Sequence, residues 1–392
     1  MSSGWMRNFW VVVSKEVSDA LRDRRTLLRL MIPAVFMGPL LLLALSGLIS
    51  SLEERAEKRE VLVHGIEHAP TLRNYLERQT YTIKEAPADY EQRLRKTTLL
   101  EPVMVIGQDF ERELATGEKP TVELVSDSAN QRAGAGLPAL QRLLLGFNRE
   151  RASLSMALRG MSIDLLQPVA VEERDLASAQ ARAARITSII PMFIIMAVLY
   201  GALTAALDST AGERERGSLE PLLMNPVQHL ALVFGKWGAV ATLGMAVALL
   251  SNLSFVPAQW LLKSDSLQAM FQFGGHEVMM FLLLQLPLAA GLGALLMALA
   301  IRSKTFKEAQ AGSALVITVV GLAPMVSLLN PGGEAGWYLW VPGLAQNTLM
   351  MLVLKGEAIQ PLQLLPQIIV GVALTLGGLA YVARSMRGAV AR

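Results

Sequence analysis

The sequence contains no cysteine among its 392 residues. This absence excludes disulfide bonds, thiolate metal sites and cysteine nucleophiles. Charged residues are also scarce, at 18% of the chain, compared with about 25% in a typical soluble domain. Apolar types instead make up 52%. Few charges and many apolar residues exclude a disordered chain and predict a membrane protein that crosses the bilayer several times.

Charges are absent from six long apolar stretches, each of about 20 residues or more, the length that a helix needs to cross a bilayer. These predicted spans are residues 30–50, 186–207, 237–262, 278–301, 309–333 and 358–383. A further charge-free stretch, 335–354, begins with aromatic residues and then carries proline and amides, which favours a re-entrant or interfacial segment. The predicted fold class is therefore an α-helical polytopic membrane protein with six transmembrane helices.

Lysine and arginine are unevenly distributed between the two sides of this topology. With the N-terminus inside, the short inner segments hold 15 of them, whereas the two short outer loops hold only Lys263 and Lys355. The inner segments are residues 1–29, 208–236, 302–308 and 384–392. This bias predicts that both termini lie in the cytoplasm. Residues 1–29 alternate apolar and charged side chains at helical spacing, which predicts an amphipathic elbow helix at the inner interface.

Residues 51–185 hold 40 of the 69 charged residues. This concentration predicts an extracytoplasmic α/β domain inserted between the first and second spans, followed by a five-helix region over 186–392. Strands are predicted at 61–65, 81–85, 102–107, 121–126 and 168–173, and helices at 71–79, 88–97 and 130–160. His64 and His68 are four residues apart, but one lies on a strand pattern and the other in a turn, so no metal site is predicted.

Motifs for nucleotide hydrolysis and common hydrolases are also missing. The sequence has no G-x-x-x-x-G-K-[ST], no G-x-S-x-G and no H-E-x-x-H. We therefore predict that this chain is not an enzyme and carries no cofactor, and no nucleic-acid partner is predicted. The predicted spans contain no charged residue, which argues against a relay of buried carboxylates. Candidates for a substrate pathway are Ser188, Ser251, Asn252 and Gln285, although hydrogen bonds between helices are the simpler explanation.

The first inner loop, residues 208–229, has the sequence DSTAGERERGSLEPLLMNPVQH. Two glycines flank alternating acidic and basic residues, and Ser218 can cap a short helix that ends before Pro226. A short helix with charges and exposed leucines is suited to docking into a cleft of another protein. The alternative is a solvated connector whose charges pair among themselves. The candidate coupling residues are Glu213, Arg214, Glu215, Arg216, Gly217, Leu219, Glu220, Leu222, Leu223 and Pro226.

Residues 212–227, GERERGSLEPLLMNPV, resemble the GE(K/R)ERGTLE-LL-xPV signature of ABC-2 exporter permeases. The GKW at 235–237 and the segment PVMVIGQDFERELATGEKPTVELVSDSAN at 102–130 are also similar to that family. The resemblance covers nearly the whole chain and is greatest to sodium-extrusion permeases. It departs at Ser218, where threonine is commoner.

The resemblance implies the membrane subunit of an ATP-driven exporter in the lipid of a bacterial cytoplasmic (inner) membrane. Two permeases, either two copies or this chain and a paralogue, would form the pathway. Two separate ABC ATPase subunits would bind ATP and Mg and press on the inner loop. Sodium efflux is the first expectation for the cargo, with neutral oxygens as its ligands. Export of drugs, peptides or lipid-like amphiphiles is the alternative, and a membrane-anchored sensor or scaffold with a ligand-binding outer domain is an alternative of another class.

Overall fold

The computed structural model describes residues 3–390 except 58, 97, 100, 128–130, 167–168, 170–173, 175, 219–220, 222–227, 264–267, 269–272 and 331–334. The chain divides into two compact units. The helical unit comprises Met1–Ser50 and Leu176–Arg392, and the inserted unit comprises Ser51–Asp175.

Helices account for most of the described chain. In chain order they are α1 (Ser3–Arg22), α2 (Arg24–Glu57), α3 (Pro70–Arg78), α4 (Tyr90–Arg95), α5 (Phe110–Thr116), α6 (Gln131–Leu158), α7 (Ala179–Ile186), α8 (Ile190–Leu207), α9 (His229–Ala258), α10 (Gly275–Ala300), α11 (Phe306–Leu322), α12 (Met325–Leu329), α13 (Leu344–Lys355) and α14 (Pro361–Val390). A turn of π-helix, Asp208–Gly212, and a turn of α-helix, Glu213–Glu215, follow α8 directly.

Within the described residues, six helical stretches are long and apolar enough to cross a membrane. They are Ile32–Ser51, Ile190–Glu215, His229–Leu261, Gly275–Ala300, Phe306–Ser327 and Pro361–Arg387. Each overlaps one predicted span, which confirms a helical polytopic fold with six candidate spans.

The helices extend beyond the charge-free runs that define the predicted spans and include charged residues near their ends. The second stretch includes Glu213, and the third begins seven residues before Lys236. Helical structure continues through these positions, and the charged side chains of Glu213 and Lys236 find partners within the helical unit. The charged ends of the helices therefore belong to the packed structure.

Small residues allow the helices of this unit to pack closely. A Cβ atom at Gly378 of α14 would lie 2.7 Å from the Ala294 carbonyl carbon of α10. At Gly371 a Cβ would meet the Pro287 carbonyl oxygen at 2.8 Å. Glycine at these two positions is therefore required for the close approach of α14 to α10, as is common in helix packing within membranes.

The segment predicted as re-entrant or interfacial forms a 3₁₀ turn, Gly336–Trp340, and the helix α13. Twelve residues of α-helix extend about 18 Å, which is short of the ~30 Å hydrocarbon thickness. Its amides bond to neighbouring helices: Gln346 Nε2 donates to Gln367 Oε1 at 3.1 Å and Asn347 Nδ2 to Ser327 Oγ at 3.2 Å. The depth of this segment in the membrane stays a prediction.

The described part of the inserted unit contains a four-stranded sheet with the order β2-β1-β3-β4. The strands are β1 (Glu60–His64), β2 (Thr82–Glu85), β3 (Val103–Ile106) and β4 (Val122–Val125). β1 pairs in parallel with β2 and β3, and β3 pairs antiparallel with β4. The registers place Val61 opposite Ile83 and Met104 opposite Leu124.

Successive side chains of a strand point to opposite faces, and both faces of this sheet are covered. Val63 and Met104 pack in one cluster with Leu76 of α3 and Phe147 of α6. Val103 packs in a second cluster with Ala86 and with Leu94 of α4. Two apolar faces explain why the central strands β1 and β3 contain continuous apolar runs, VLV and VMVI.

Four of the predicted strands and the three predicted helices are confirmed within a few residues. The fifth predicted strand, 168–173, lies outside the described residues except for Val169. Helix α5 was not predicted, because its seven residues carry only two large apolar side chains. The extracytoplasmic location of this unit stays a prediction.

Candidate coupling site

The inner loop begins as a direct continuation of α8. The π-turn Asp208–Gly212 is buried from Ser209 onward, and Thr210 Oγ1 donates a 2.6 Å hydrogen bond to the Ala206 carbonyl. The α-turn Glu213–Glu215 follows, and the chain reverses at Gly217, whose φ of +67° lies in the left-handed region that favours glycine. Single π-turns inside helices frequently occur at functional sites.

Lys236 on α9 is fully buried, with 0% of its surface exposed. Its Nζ lies 2.7 Å from Glu213 Oε1 and 3.0 Å from Glu16 Oε1. Glu213 belongs to the inner loop and Glu16 to α1. One ammonium group therefore joins three separate elements of the helical unit.

Lys15 completes this inner charge cluster, which consists of Lys15, Glu16, Glu213 and Lys236. Its Nζ lies 3.2 Å from Glu16 Oε1 and 3.8 Å from Glu213 Oε1. Burial lowers the pKa of Lys15, but the carboxylates of Glu16, Glu213 and Asp19 outweigh this and leave it raised. Lys15 therefore stays positively charged at neutral pH.

The cluster balances two positive against two negative charges, and its members are largely buried except for Lys15, whose side chain is about half exposed. Glu213 is 8% exposed, and its Oε2 has no hydrogen-bond partner among the described residues. Removing one partner from a buried ion pair typically costs about 3–5 kcal/mol, because the other charge is left uncompensated. The cluster is therefore a strong link between α1, the inner loop and α9.

A second set of contacts joins the inner loop to the start of α11. The backbone N–H of Phe306 donates to Glu215 Oε2 at 2.6 Å, and Arg214 Nη1 donates to the Ser303 carbonyl at 3.4 Å. Phe306 is the first residue of α11. A carboxylate at a helix N-terminus is stabilised by the free N–H groups and the helix dipole.

The candidate coupling residues differ in their environments. Glu213 is buried, Arg214 is half-buried, and Glu215, Arg216 and Gly217 are exposed. The remaining candidates lie outside the described residues: Leu219, Glu220, Leu222, Leu223 and Pro226. Glu213 is therefore not a solvated loop residue, because Lys236 provides a buried partner.

The candidate pathway residues divide into two groups. Ser251 and Asn252 on α9 and Gln285 on α10 are buried, whereas Ser188 is half-buried and lines a cavity with Asn347. Asn252 Nδ2 donates to the Ala248 carbonyl at 2.8 Å. Asn252 Oδ1 and both terminal atoms of Gln285 have no hydrogen-bond partner within the part of the chain that is described.

Sequence reasoning missed Lys236 and Glu16 as partners of the loop. Lys236 directly precedes the third predicted span, and Glu16 lies on the charged side of the elbow helix. The usable signal was a lone lysine at the start of a long apolar run, close to a loop rich in glutamate.

Known proteins are similar to this chain over the elements that form the candidate coupling site. Residues 10–336 match a family described as ABC-2 family transporter protein. The ABC transporter permease protein NatB of Bacillus subtilis (strain 168) is 26% identical over 356 residues, which cover 88% of this chain and 89% of that protein. The family match includes α1 from residue 10, the inserted unit and the whole inner charge cluster. The chain is therefore a member of the ABC-2 family of transporter permeases.

Proposed function

We propose that this chain is the permease subunit of an ATP-driven exporter and that its inner loop receives force from separate ATPase subunits. The observation that carries the proposal is the pairing of Glu213 with buried Lys236, and through Lys236 with Glu16. A displacement of the loop must move α1 and α9 with it or separate buried charges at a cost of about 3–5 kcal/mol.

The contact between Glu215 and Phe306 adds α11 to the elements that would move together with the loop. Helices that move together as packed bodies between two arrangements are the usual basis of such coupling. Because the sequence lacks a phosphate-binding loop, ATP and Mg belong in the partner. The assembly contains two ATPase subunits and two permeases, either two copies or this chain with a paralogue.

The orientation follows from the distribution of basic residues. Both termini and the inner loop face the cytoplasm of a bacterial cell, and residues 51–185 lie outside the cytoplasmic membrane. The 15 lysines and arginines of the inner segments, against two in the short outer loops, support this arrangement.

Matched cysteine substitutions test the orientation, because the chain has no cysteine of its own. Lys119 and Lys307 are both exposed, the first in the inserted unit and the second at the start of α11. An impermeant thiol reagent applied to cells with a permeabilised outer barrier is expected to label Lys119→Cys and spare Lys307→Cys. The reverse pattern would overturn the topology.

A matched pair of glutamate substitutions tests the coupling. Glu215→Ala removes the carboxylate that accepts from Phe306, whereas Glu357→Ala removes an exposed carboxylate outside the inner loop. With the ATPase subunits present, we expect Glu215→Ala to lower ATPase stimulation and co-purification and Glu357→Ala to leave both unchanged. Glu215→Ala should lower the free energy of unfolding by only about 1 kcal/mol, as for loss of a helix cap. Normal ATPase stimulation in Glu215→Ala would contradict the coupling role and indicate that the loop only connects two helices.

For the cargo, we propose sodium on the basis of the resemblance to sodium-extrusion permeases. Among the described residues, no group of three His, Asp or Glu side chains is placed to hold a metal ion. Neutral oxygens such as Asn252 Oδ1 and Gln285 Oε1, both without partners among the described residues, are the ligands that a hard cation would accept. Sodium extrusion from ATP-loaded vesicles, with potassium as the control, tests this assignment.

The second candidate cargo is a cationic amphiphile. A cavity beside the inner charge cluster favours it, since that cavity combines acidic and apolar walls.

A further inference from the structure

A cavity of about 430 Å³ lies between α1, the inner end of α8 and α9. Its size falls within the roughly 300–1,000 Å³ range of small-molecule sites. Residues of three helices and of the π-turn form its walls, so all of its lining belongs to the helical unit.

The polar part of the wall has more acidic than basic side chains. Five carboxylates line the cavity, against the cationic side chains of Lys15 and Arg216, and Lys236 pairs with two of these carboxylates, those of Glu16 and Glu213. The carboxylates are those of Glu16, Asp19, Asp23, Asp208 and Glu213. A concave site with an excess of one sign of charge concentrates ions of the opposite sign. The cavity therefore favours a cation.

Glu213 provides a second observation that points to a ligand. Its Oε1 is used by Lys236 and Lys15, but its Oε2 has no partner among the described residues, although the residue is more than nine-tenths buried and lines the cavity. A buried polar atom without a partner costs free energy, and a charged one costs more. Oε2 is itself buried, so a cation in the cavity would act on this carboxylate through its charge and not by direct contact with Oε2.

Much of the rest of the cavity wall is apolar, which favours an organic cation over a bare metal ion. Gly201 and Ala205 of α8 face Val240, Leu243 and Val247 of α9. A bare metal ion requires several close oxygen ligands, and the acidic side chains of the described residues form no group of three that could hold one. An alkylated ammonium ion is weakly hydrated and carries apolar surface, so it can meet carboxylates and valines at once.

We propose that this cavity binds an organic ammonium ion with an apolar body, as the cytoplasmic loading site for the cargo. The proposal rests on the proposed export function and develops its second candidate cargo, the cationic amphiphile, in place of sodium. Binding beside Glu213 would place the cargo in contact with the same residue that joins the inner loop to α9. The cargo would thereby bias the element on which the ATPase acts.

Equilibrium binding of radiolabelled hexyltrimethylammonium to the purified complex of permease and ATPase tests the proposal. This probe carries the ammonium group and a tail short enough to limit partition into lipid. We expect saturable binding to wild type. Sodium chloride and potassium chloride at equal ionic strength should weaken binding equally, since both act only by screening.

Two variants address the two parts of the wall, each with a matched control. Asp208→Asn removes one carboxylate and should weaken binding about tenfold, whereas Asp164→Asn, an exposed residue of the inserted unit, should leave it unchanged. Leu243→Trp should fill the cavity and abolish binding, whereas Leu283→Trp on the exposed side of α10 should not.

Several outcomes would overturn the proposal: no saturable binding, binding unaffected by both cavity variants, or displacement by sodium but not by potassium. Dodecylphosphocholine distinguishes two sources of the ammonium ion. If it displaces the probe, the natural ligand is a lipid headgroup, and if it does not, the natural ligand is a free organic cation. ATPase stimulation measured on the same samples separates this result from the proposed function, because normal stimulation without probe binding would leave the coupling proposal standing.

Discussion

The ion pairs described in the inserted unit lie at its surface, whereas the pairs that Lys236 makes in the inner charge cluster are buried in the helical unit. Arg93 Nε and Asp89 Oδ1 are 2.8 Å apart, with about half of each side chain exposed. Lys236 Nζ and Glu213 Oε1 are 2.7 Å apart, with 0% and 10% exposed. The distances are nearly equal, so the surroundings decide how much each pair contributes. Water therefore screens the exposed pair much more strongly than the buried one.

The largest expected effect is that of Lys236→Ala, which tests the buried side of this comparison. The substitution removes the buried ammonium group shared by Glu213 and Glu16 and leaves them only the half-exposed ammonium group of Lys15. We expect the free energy of unfolding to fall by about 3–5 kcal/mol, measured by thermal or denaturant unfolding in detergent or lipid nanodiscs.

A double variant provides the control for this loss. Lys236→Met with Glu213→Gln removes one charge of each sign and should recover part of the stability, because fewer buried charges are left unpaired. A double variant as unstable as the sum of the two single variants would contradict the assignment of the loss to an uncompensated charge.

The same comparison explains which features of the structure could be predicted from the sequence. Spans and strands depend on local patterns, namely charge-free runs of about 20 residues and short β-branched runs, and both were predicted. The buried pair of Lys236 with Glu16 joins residues 220 positions apart. No local period contains that information, since it depends on how α1 packs against α9.

The inner loop shows both what the sequence could predict and what it could not. Its alternating charges identified Glu213 and Glu215 as candidates, but the pattern gave them the same environment. The π-turn that precedes them decides the difference, because it sets which carboxylate faces α9 and which faces α11. A change of helical pitch over five residues has no reliable sequence signal.

A smaller effect on stability is expected for Gln285→Leu, which extends the comparison to buried polar groups without charge. Both terminal atoms of Gln285 lack a partner among the described residues. Replacing such a group by an apolar one should leave the free energy of unfolding unchanged or raise it by about 1–2 kcal/mol. If Gln285 contacts the cargo, transport should fall at the same time.

Thr348→Val is the matched control for this prediction. Thr348 on α13 is also buried with an unpartnered hydroxyl within the described chain, and it is not a pathway candidate. We expect stability and transport to change little in this variant. Normal transport by Gln285→Leu would remove that residue from the pathway and leave it as a structural group.

The smallest effect is expected for Arg78→Ala, at the exposed end of the comparison. Arg78 pairs with Glu150 across the surface between α3 and α6, and both side chains keep substantial exposure. Exposed pairs of this kind contribute about 0–1 kcal/mol, and salt weakens them further. Hydrogen exchange of the β1 amides in the full chain should therefore accelerate by no more than about fivefold.

Leu76→Ala provides the reference for the same exchange measurement. Leu76 lies two residues before Arg78 on α3 and is fully buried against the sheet. Its truncation should cost about 2–5 kcal/mol, because a cavity is left in a packed core. If Arg78→Ala accelerated exchange as much as Leu76→Ala, exposure would not be what separates the surface pairs from the inner charge cluster. The large effect expected for Lys236→Ala would then need another cause, such as the loss of the lysine side chain's own packing between α1 and α9.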